Sequence, residues 1–273
     1  MRHRLASSRR EDGSVRQGTH RLTSRLCIIR KNTTLTSGLE NMTELRQATE
    51  NSRAWQHSVS LALLEFVLIA TIYIADWLHH VVPSKVPYLL ALAWISLRLR
   101  GLRWRDVGLR LYRDWRSTVV IGVAAGIGIE LLELLVTQPL LARITGQMPD
   151  LSAFRRVAGN LEWLSLSLAL TWTLFAFGEE LVFRGYLMDR VAGLLGRTRT
   201  GWAVALALAS VVFGLSHFQQ GITGVSENFI DGIVLGALYL RFGCNLAIPI
   251  VAHGVTDTMD FLLLFLHRYP GVQ

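Results

Sequence analysis

Long apolar runs separated by short, mostly basic connections fill the chain from Val59 onward. The first run reads from about Val59 to Leu78 and includes Glu65 and Asp76. The second, from about Val81 to Leu97, is short and opened by Pro83 and Pro87. A third, Val119 to Leu141, carries Glu130 and Glu133, and a fourth runs from Leu161 through Glu179-Glu180 to Leu187. The fifth is Trp202 to Phe218, the sixth about Phe229 to Tyr239, and the seventh Asn245 to Leu266. Backbone groups in lipid must be satisfied internally, so such runs are helices or barrel strands, and these are too long for strands. The predicted fold class is therefore all-α, a polytopic transmembrane helix bundle of about seven spans.

Composition agrees, with 51% hydrophobic residues in 273. The formal charge of +8 does not point to nucleic acid, because the arginines sit in the tail and between apolar runs. Residues 1–53 have no sustained apolar run and are rich in Arg, Ser, Thr and Asn, which predicts a disordered basic tail without a signal peptide. A start at Met42 is an equal alternative. The expected organisation is that tail, N-terminal transmembrane helices with a basic cytoplasmic loop over 54–158, and a catalytic helix core over 159–267. The connections after the second, fourth and sixth runs carry the heavier Arg load, with Arg98 to Arg116 the most basic. They and the N-terminus are expected to face the cytoplasm of a multi-pass protein of the cell inner membrane. Arg98 to Arg116 is then a natural contact for anionic membrane lipid. Cys27 and Cys244 lie in unlike contexts without metal-ligand spacing, so neither a disulfide framework nor a zinc finger is expected.

Acids inside an apolar run cost at least ~2.5–3.5 kcal/mol each on insertion scales and demand a reason. Glu180 and Arg184 are four apart and share a helix face, so they can pair, while Glu179 points elsewhere. Phe213 and His217 end the fifth run with the same spacing, and Gly214 between them allows close helix approach. His253 and Asp257 share a face of the seventh. Asn228 and Asp231 open the sixth, and Asp260 can face the bundle beside Asp257. A lone intramembrane His is more often a satisfied interior residue; a carboxylate and two histidines on three successive spans say more. A Glu and a His can hold and deprotonate a water, and a second His can donate to the oxyanion formed when water attacks an amide. Glu179, His217 and His253 are also acceptable zinc ligands, although no His-Glu-x-x-His helix is present.

Glu179-Glu180-x-x-x-Arg184, Phe213-x-x-x-His217 and His253-x-x-x-Asp257, in this order, resemble the three motifs of the CPBP family of intramembrane proteases. That family includes the type II CAAX prenyl endopeptidases and bacteriocin-processing or immunity proteins. The resemblance covers about Leu161 to Leu266. It implies an intramembrane endopeptidase acting near the cytoplasmic membrane surface on a peptide or prenylated protein, as in CAAX processing. It further implies that Glu179 and His217 activate water, that His253 and Asp257 form the oxyanion site, and that Glu180 and Arg184 support them. Many relatives carry Asn where this chain has Asp257, so Asp257 either is protonated or orients His253. The family has been described both as metalloproteases and as metal-independent glutamate proteases.

Two rivals follow from the same residues: a membrane scaffold or immunity-type factor that binds a peptide without cutting it, and a proton-coupled transporter. No paired repeat of broken helices supports the latter. Glu65 is expected to snorkel or pair with another helix, and Glu130 and Glu133 to face the interior, with a role in substrate entry as their minor alternative. At ~1.5 Å per residue, His217 lies ~24 Å along its span, well past Glu179 at ~13 Å and His253 at ~12 Å. The Glu179–His217 dyad thus requires the fifth span to sit further inward than the runs suggest.

Overall fold

The computed structural model describes residues 59–82 and 84–271. The basic tail, the alternative start at Met42, Cys27 and Pro83 lie outside the described residues. In chain order the helices are α1 Val59–Trp77, α2 Val86–Leu99, α3 Trp115–Thr145, α4 Leu161–Leu194, α5 Arg199–Leu215, α6 Gly221–Arg241 and α7 Ala247–Phe265, with no strand among the described residues. Local chemistry sets their ends. Asp114 accepts from the Ser117 N–H (2.9 Å) at the head of α3, and these Ser117 bonds hold the Asp114 carboxyl below its usual range. Asn160 caps α4 by accepting from the N–H groups of Glu162 and Trp163, and Thr198 caps α5. Gly146, at φ 77°, closes α3 in the left-handed conformation.

The bundle is all-α as expected, but the apolar runs do not translate one for one into crossings. Four helices, α1, α3, α4 and α7, are each long and apolar enough to cross a membrane. The fifth and sixth runs qualify only together, as two arms bent by 58°. Between them His217 (φ −106°, ψ 25°) and Gly221 (φ 75°) leave the helical path. With 14 residues, α2 extends about 21 Å, short of the ~30 Å hydrocarbon core. Among the described residues, four helices are thus long and apolar enough to cross, or five if the bent pair is one span.

Small residues bring the helices into contact. A Cβ on Gly126 of α3 would lie 2.5 Å from the Ala252 carbonyl of α7, and one on Gly214 of α5 would lie 2.6 Å from the Val225 carbonyl of α6. Large apolar side chains such as Val59, Leu63 and Val67 on α1 and Leu135 and Ile144 on α3 face outward, as a lipid-facing surface requires. The three Arg-loaded connections meet at one end of the bundle. There Leu246 N–H donates to Gly108 O (2.9 Å), Arg110 donates to Gly243 O (3.1 Å), and Arg197 forks onto Asp189 (2.6 and 2.9 Å). Glu65 does not snorkel: it is buried, pairs with Arg190 at 2.5 Å and accepts from Ser96.

One offset decides where the polar residues meet. Helix α4 runs past Leu187 to Leu194, and it is Gly185, not the helix end, that packs against Leu246 at the head of α7. Nine residues at ~1.5 Å let α5 begin about 14 Å lower than α7, so Phe213 rises to the level of His253. Their rings lie 5.9 Å apart.

Candidate active site

Phe213 is the ring around which the motif residues assemble. It is buried, with the Arg184 guanidinium 4.5 Å from its centroid, His217 at 5.1 Å and Phe183 edge-on at 5.0 Å. Arg184 also donates to Glu180 Oε1 at 2.5 Å and to Gly232 O at 3.3 Å. The segments Thr171–Glu179 and Leu181–Met188 of α4 are wound as wide π turns, a departure from α geometry that recurs at functional sites. Glu180 is fully buried. Its neighbour Glu179 instead lines a cavity of about 400 Å³ and forms no hydrogen bond or ion pair with the described residues.

His217, His253 and Asp257 line that same cavity. His217 Nδ1 lies 2.9 Å from the Phe213 carbonyl, which can only accept, so Nδ1 carries the proton and neutral His217 presents a bare Nε2. His253 Nδ1 lies 3.0 Å from Glu180 Oε1 and its Nε2 lies 3.4 Å from Asp257 Oδ1. With both acids ionised, both ring nitrogens donate and His253 is an imidazolium. Glu180 thus holds Arg184 and His253 together, a link across helices that no spacing within one helix reveals.

The donor set does not suit a metal. Both nitrogens of His253 face carboxylates, and no group of three or more His, Cys, Asp or Glu among the described residues is placed to hold an ion. The expected set of Glu179, His217 and His253 as zinc ligands is therefore not supported, and no step is derived through a metal.

Four residues that secure His217 are not evident from the motifs. Tyr73 Oη lies 2.6 Å from Ser216 Oγ, and Lys85 donates to the Ser216 carbonyl and to Asp76 Oδ2, each at 3.1 Å. These contacts tie α1 and the start of α2 to the bend between α5 and α6. A signal existed for Lys85, one of two lysines in an arginine-rich chain. The cavity extends past Lys85 to exposed Asp150, Ser152 and Gln219. Its mouth is thus at the end opposite the Arg-rich connections.

Residues 161–259 match the family model described as type II CAAX prenyl endopeptidase Rce1-like. This is the family group to which the three ordered motifs point, matched over a little more than a third of the chain. No curated protein and no solved structure matches the chain. The Rce1-like segment contains α4, α5, α6 and the part of α7 that carries His253 and Asp257, so it spans every motif residue. Together with the apolar helices, the match supports an integral membrane protein with a segment similar to CAAX-type endopeptidases.

Proposed function

We propose that the chain is an intramembrane endopeptidase that hydrolyses a peptide bond of a membrane-associated peptide or prenylated protein, with water activated by Glu179 and His217. The observation that carries this reading is the convergence of Glu179, His217, His253 and Asp257 on one cavity. Glu179 is the carboxylate free to take a proton, and His217 Nε2 is a lone pair suited to orienting the same water. As the water oxygen bonds to the carbonyl carbon, its proton passes to Glu179 and negative charge collects on the carbonyl oxygen. The longer of the two His253 contacts, Nε2 to Asp257, is the N–H that can turn to this oxyanion while Glu180 holds Nδ1. The carbon–nitrogen bond then breaks, and the proton on Glu179 moves to the leaving amine. Asp257 orients His253, and Glu180 with Arg184 keeps the imidazolium in place.

On the orientation that the arginines favour, with the N-terminus cytoplasmic in the cell inner membrane, the substrate enters from the opposite side. The test is cleavage of membrane-tethered CAAX-type and related peptides by purified chain in lipid nanodiscs. Glu179→Gln and His217→Ala are each expected to reduce kcat at least ~100-fold. Cleavage at the unsubstituted rate in both variants would sink the mechanism. Binding without cleavage by the unsubstituted chain would favour the scaffold reading.

A further inference from the structure

The water-orienting nitrogen of His217 is aimed by a stretch of backbone that no motif secures. Ser216 follows the last residue of α5, and the chain leaves the helical path at His217. A continuing helix would bring the Gln220 N–H to the Ser216 carbonyl, but that N–H donates to His217 O at 2.9 Å. Lys85 supplies a donor in its place, its ammonium reaching Ser216 O from the head of α2 at 3.1 Å. A cation suits that position, since the C-terminal end of a helix carries about half a negative charge. Tyr73 of α1 holds the side chain of the same residue. Ser216 Oγ donates to Val212 O (2.8 Å), so Tyr73 Oη is the donor in the 2.6 Å contact with Ser216 Oγ.

Beyond His217 the chain is held from other elements. Asp150 N–H donates to Gln220 O (3.0 Å), and Asn228 Nδ2 donates to Gln220 Oε1 (3.1 Å). Gln220 is thus fixed by the α3–α4 connection and by α6, and Ser216 by α1 and α2, with His217 between the two anchors. The bond from Nδ1 to Phe213 O sets the ring against its own helix. Where the ring stands relative to Glu179 on α4 depends on where the bend is pinned.

A lysine in the cavity wall has two available roles, contact with substrate or support of His217. Lys85 lines the cavity together with Glu179 and His217. Its charge is met by Asp76 at 3.1 Å, with the two side chains 14% and 12% exposed. Two of its three N–H bonds are therefore engaged, and a paired ammonium adds little field at an attacked carbonyl. Support is the larger effect, because losing the ammonium leaves the Ser216 carbonyl without this donor at the residue before His217. From this geometry we infer that Lys85 is a positioning residue for hydrolysis, acting through Ser216 to hold His217 Nε2 on the water shared with Glu179. Asp76 fixes the ammonium, and Tyr73 fixes the Ser216 side chain. The inference rests on the proposed peptidase reading. It adds that the site depends on α1 and α2, since Tyr73, Asp76 and Lys85 all lie outside the matched residues 161–259.

The experiment uses the full chain in nanodiscs and a tethered peptide that it cuts. Lys85→Met is expected to lower kcat about 10–100-fold with KM within about twofold, as a misaimed catalytic group slows the reaction of bound substrate. Lys85→Arg keeps the charge and a donor, and is expected to recover at least about fivefold of that loss. Tyr73→Phe, which deletes one hydroxyl, is expected to lower kcat about threefold. In a His217→Ala background, each further loss is expected to shrink to less than about twofold, since no imidazole remains to be aimed. Lys85→Met within about threefold of the unsubstituted kcat overturns the inference. A KM raised about tenfold at unchanged kcat also overturns it, by making Lys85 a substrate contact. An equal loss with and without His217 overturns it as well, by making the role one of general stability. Should Lys85→Met fail to fold, Tyr73→Phe decides: an unchanged kcat, or an equal loss in both backgrounds, sinks the positioning role. A chain that cuts no tethered peptide refutes the peptidase reading by itself. NMR signals of the isotope-labelled His217 ring nitrogens, assigned by their loss in His217→Ala, then decide the positioning. They are expected to shift in Lys85→Met and Tyr73→Phe, and unchanged signals in both overturn it.

Discussion

Replacing Arg184 by Met is the most demanding test of how the site is held. The guanidinium and the Glu180 carboxylate are buried to 1% and 0% exposure and meet at 2.5 Å. Met keeps most of the volume but removes the charge, the bond to Gly232 O and the contact with the Phe213 face. Glu180 Oε2 already lacks a partner, so the carboxylate would retain only His253. Removing one member of a buried ion pair costs about 3–5 kcal/mol, chiefly because the other charge is left uncompensated. If that account holds, Arg184→Met combined with Glu180→Gln recovers more than half of the loss, since no stranded charge remains. Unfolding of the purified chain in mixed micelles, followed by circular dichroism across the double-mutant cycle, measures both numbers. A cost below about 1 kcal/mol for Arg184→Met, or no recovery in the double variant, refutes the argument that Glu180 is a buried charge held by Arg184. The double variant is still expected to be inactive, because His253 loses its anchor.

Other consequences can be checked more directly. Gly214→Leu places side-chain atoms against the Val225 backbone carbonyl, which cannot give way as a flexible side chain would. It is expected to cost about 1–3 kcal/mol in the same unfolding assay, and an unchanged midpoint would contradict the α5–α6 packing. Cysteines introduced at Asp150 and at Arg105 are expected to react with a membrane-impermeant maleimide from opposite sides, with the signal of the unsubstituted chain subtracted. Labelling from the same side would reverse the relation between mouth and arginines. Exhaustive chelation is expected to leave peptide cleavage within about twofold, with metal well below one equivalent by mass spectrometry, because His253 has no free nitrogen for a ligand. Activity that disappears on chelation and returns with zinc would overturn that reasoning.

Much of the site was legible because its motifs are local. Glu180 with Arg184, Phe213 with His217, and His253 with Asp257 are each four apart, and helical periodicity alone places each pair on one face. An acid in an apolar run is costly enough to mark itself, which is how Glu179, Glu130 and Glu133 stand out. The tail at 1–53 lies outside the described residues. Less legible was everything that depends on how one helix sits against another. Hydropathy reports what surrounds a residue, not the height at which two helices meet. The runs therefore placed His217 deeper than His253, and only the lower start of α5, after an α4 that continues to Leu194, brings Phe213 beside His253. The count of about seven spans is not confirmed for a related reason, because two apolar arms joined at a bend read as two runs.

The sequence by itself determined that the chain is a helical membrane protein, which residues could do chemistry, and which neighbours on the same helix serve them. Those properties follow from composition and from the 3.6-residue turn. Tertiary structure alone decided that Glu180 bridges Arg184 and His253, that Lys85 and Tyr73 secure the bend beside His217, and that Glu133, Glu227, Asp231 and Asp260 line the same cavity. Each is a contact between helices far apart in the chain, set by glycine-mediated approach and by the offset between α4 and α7. No periodicity within a single helix carries that information.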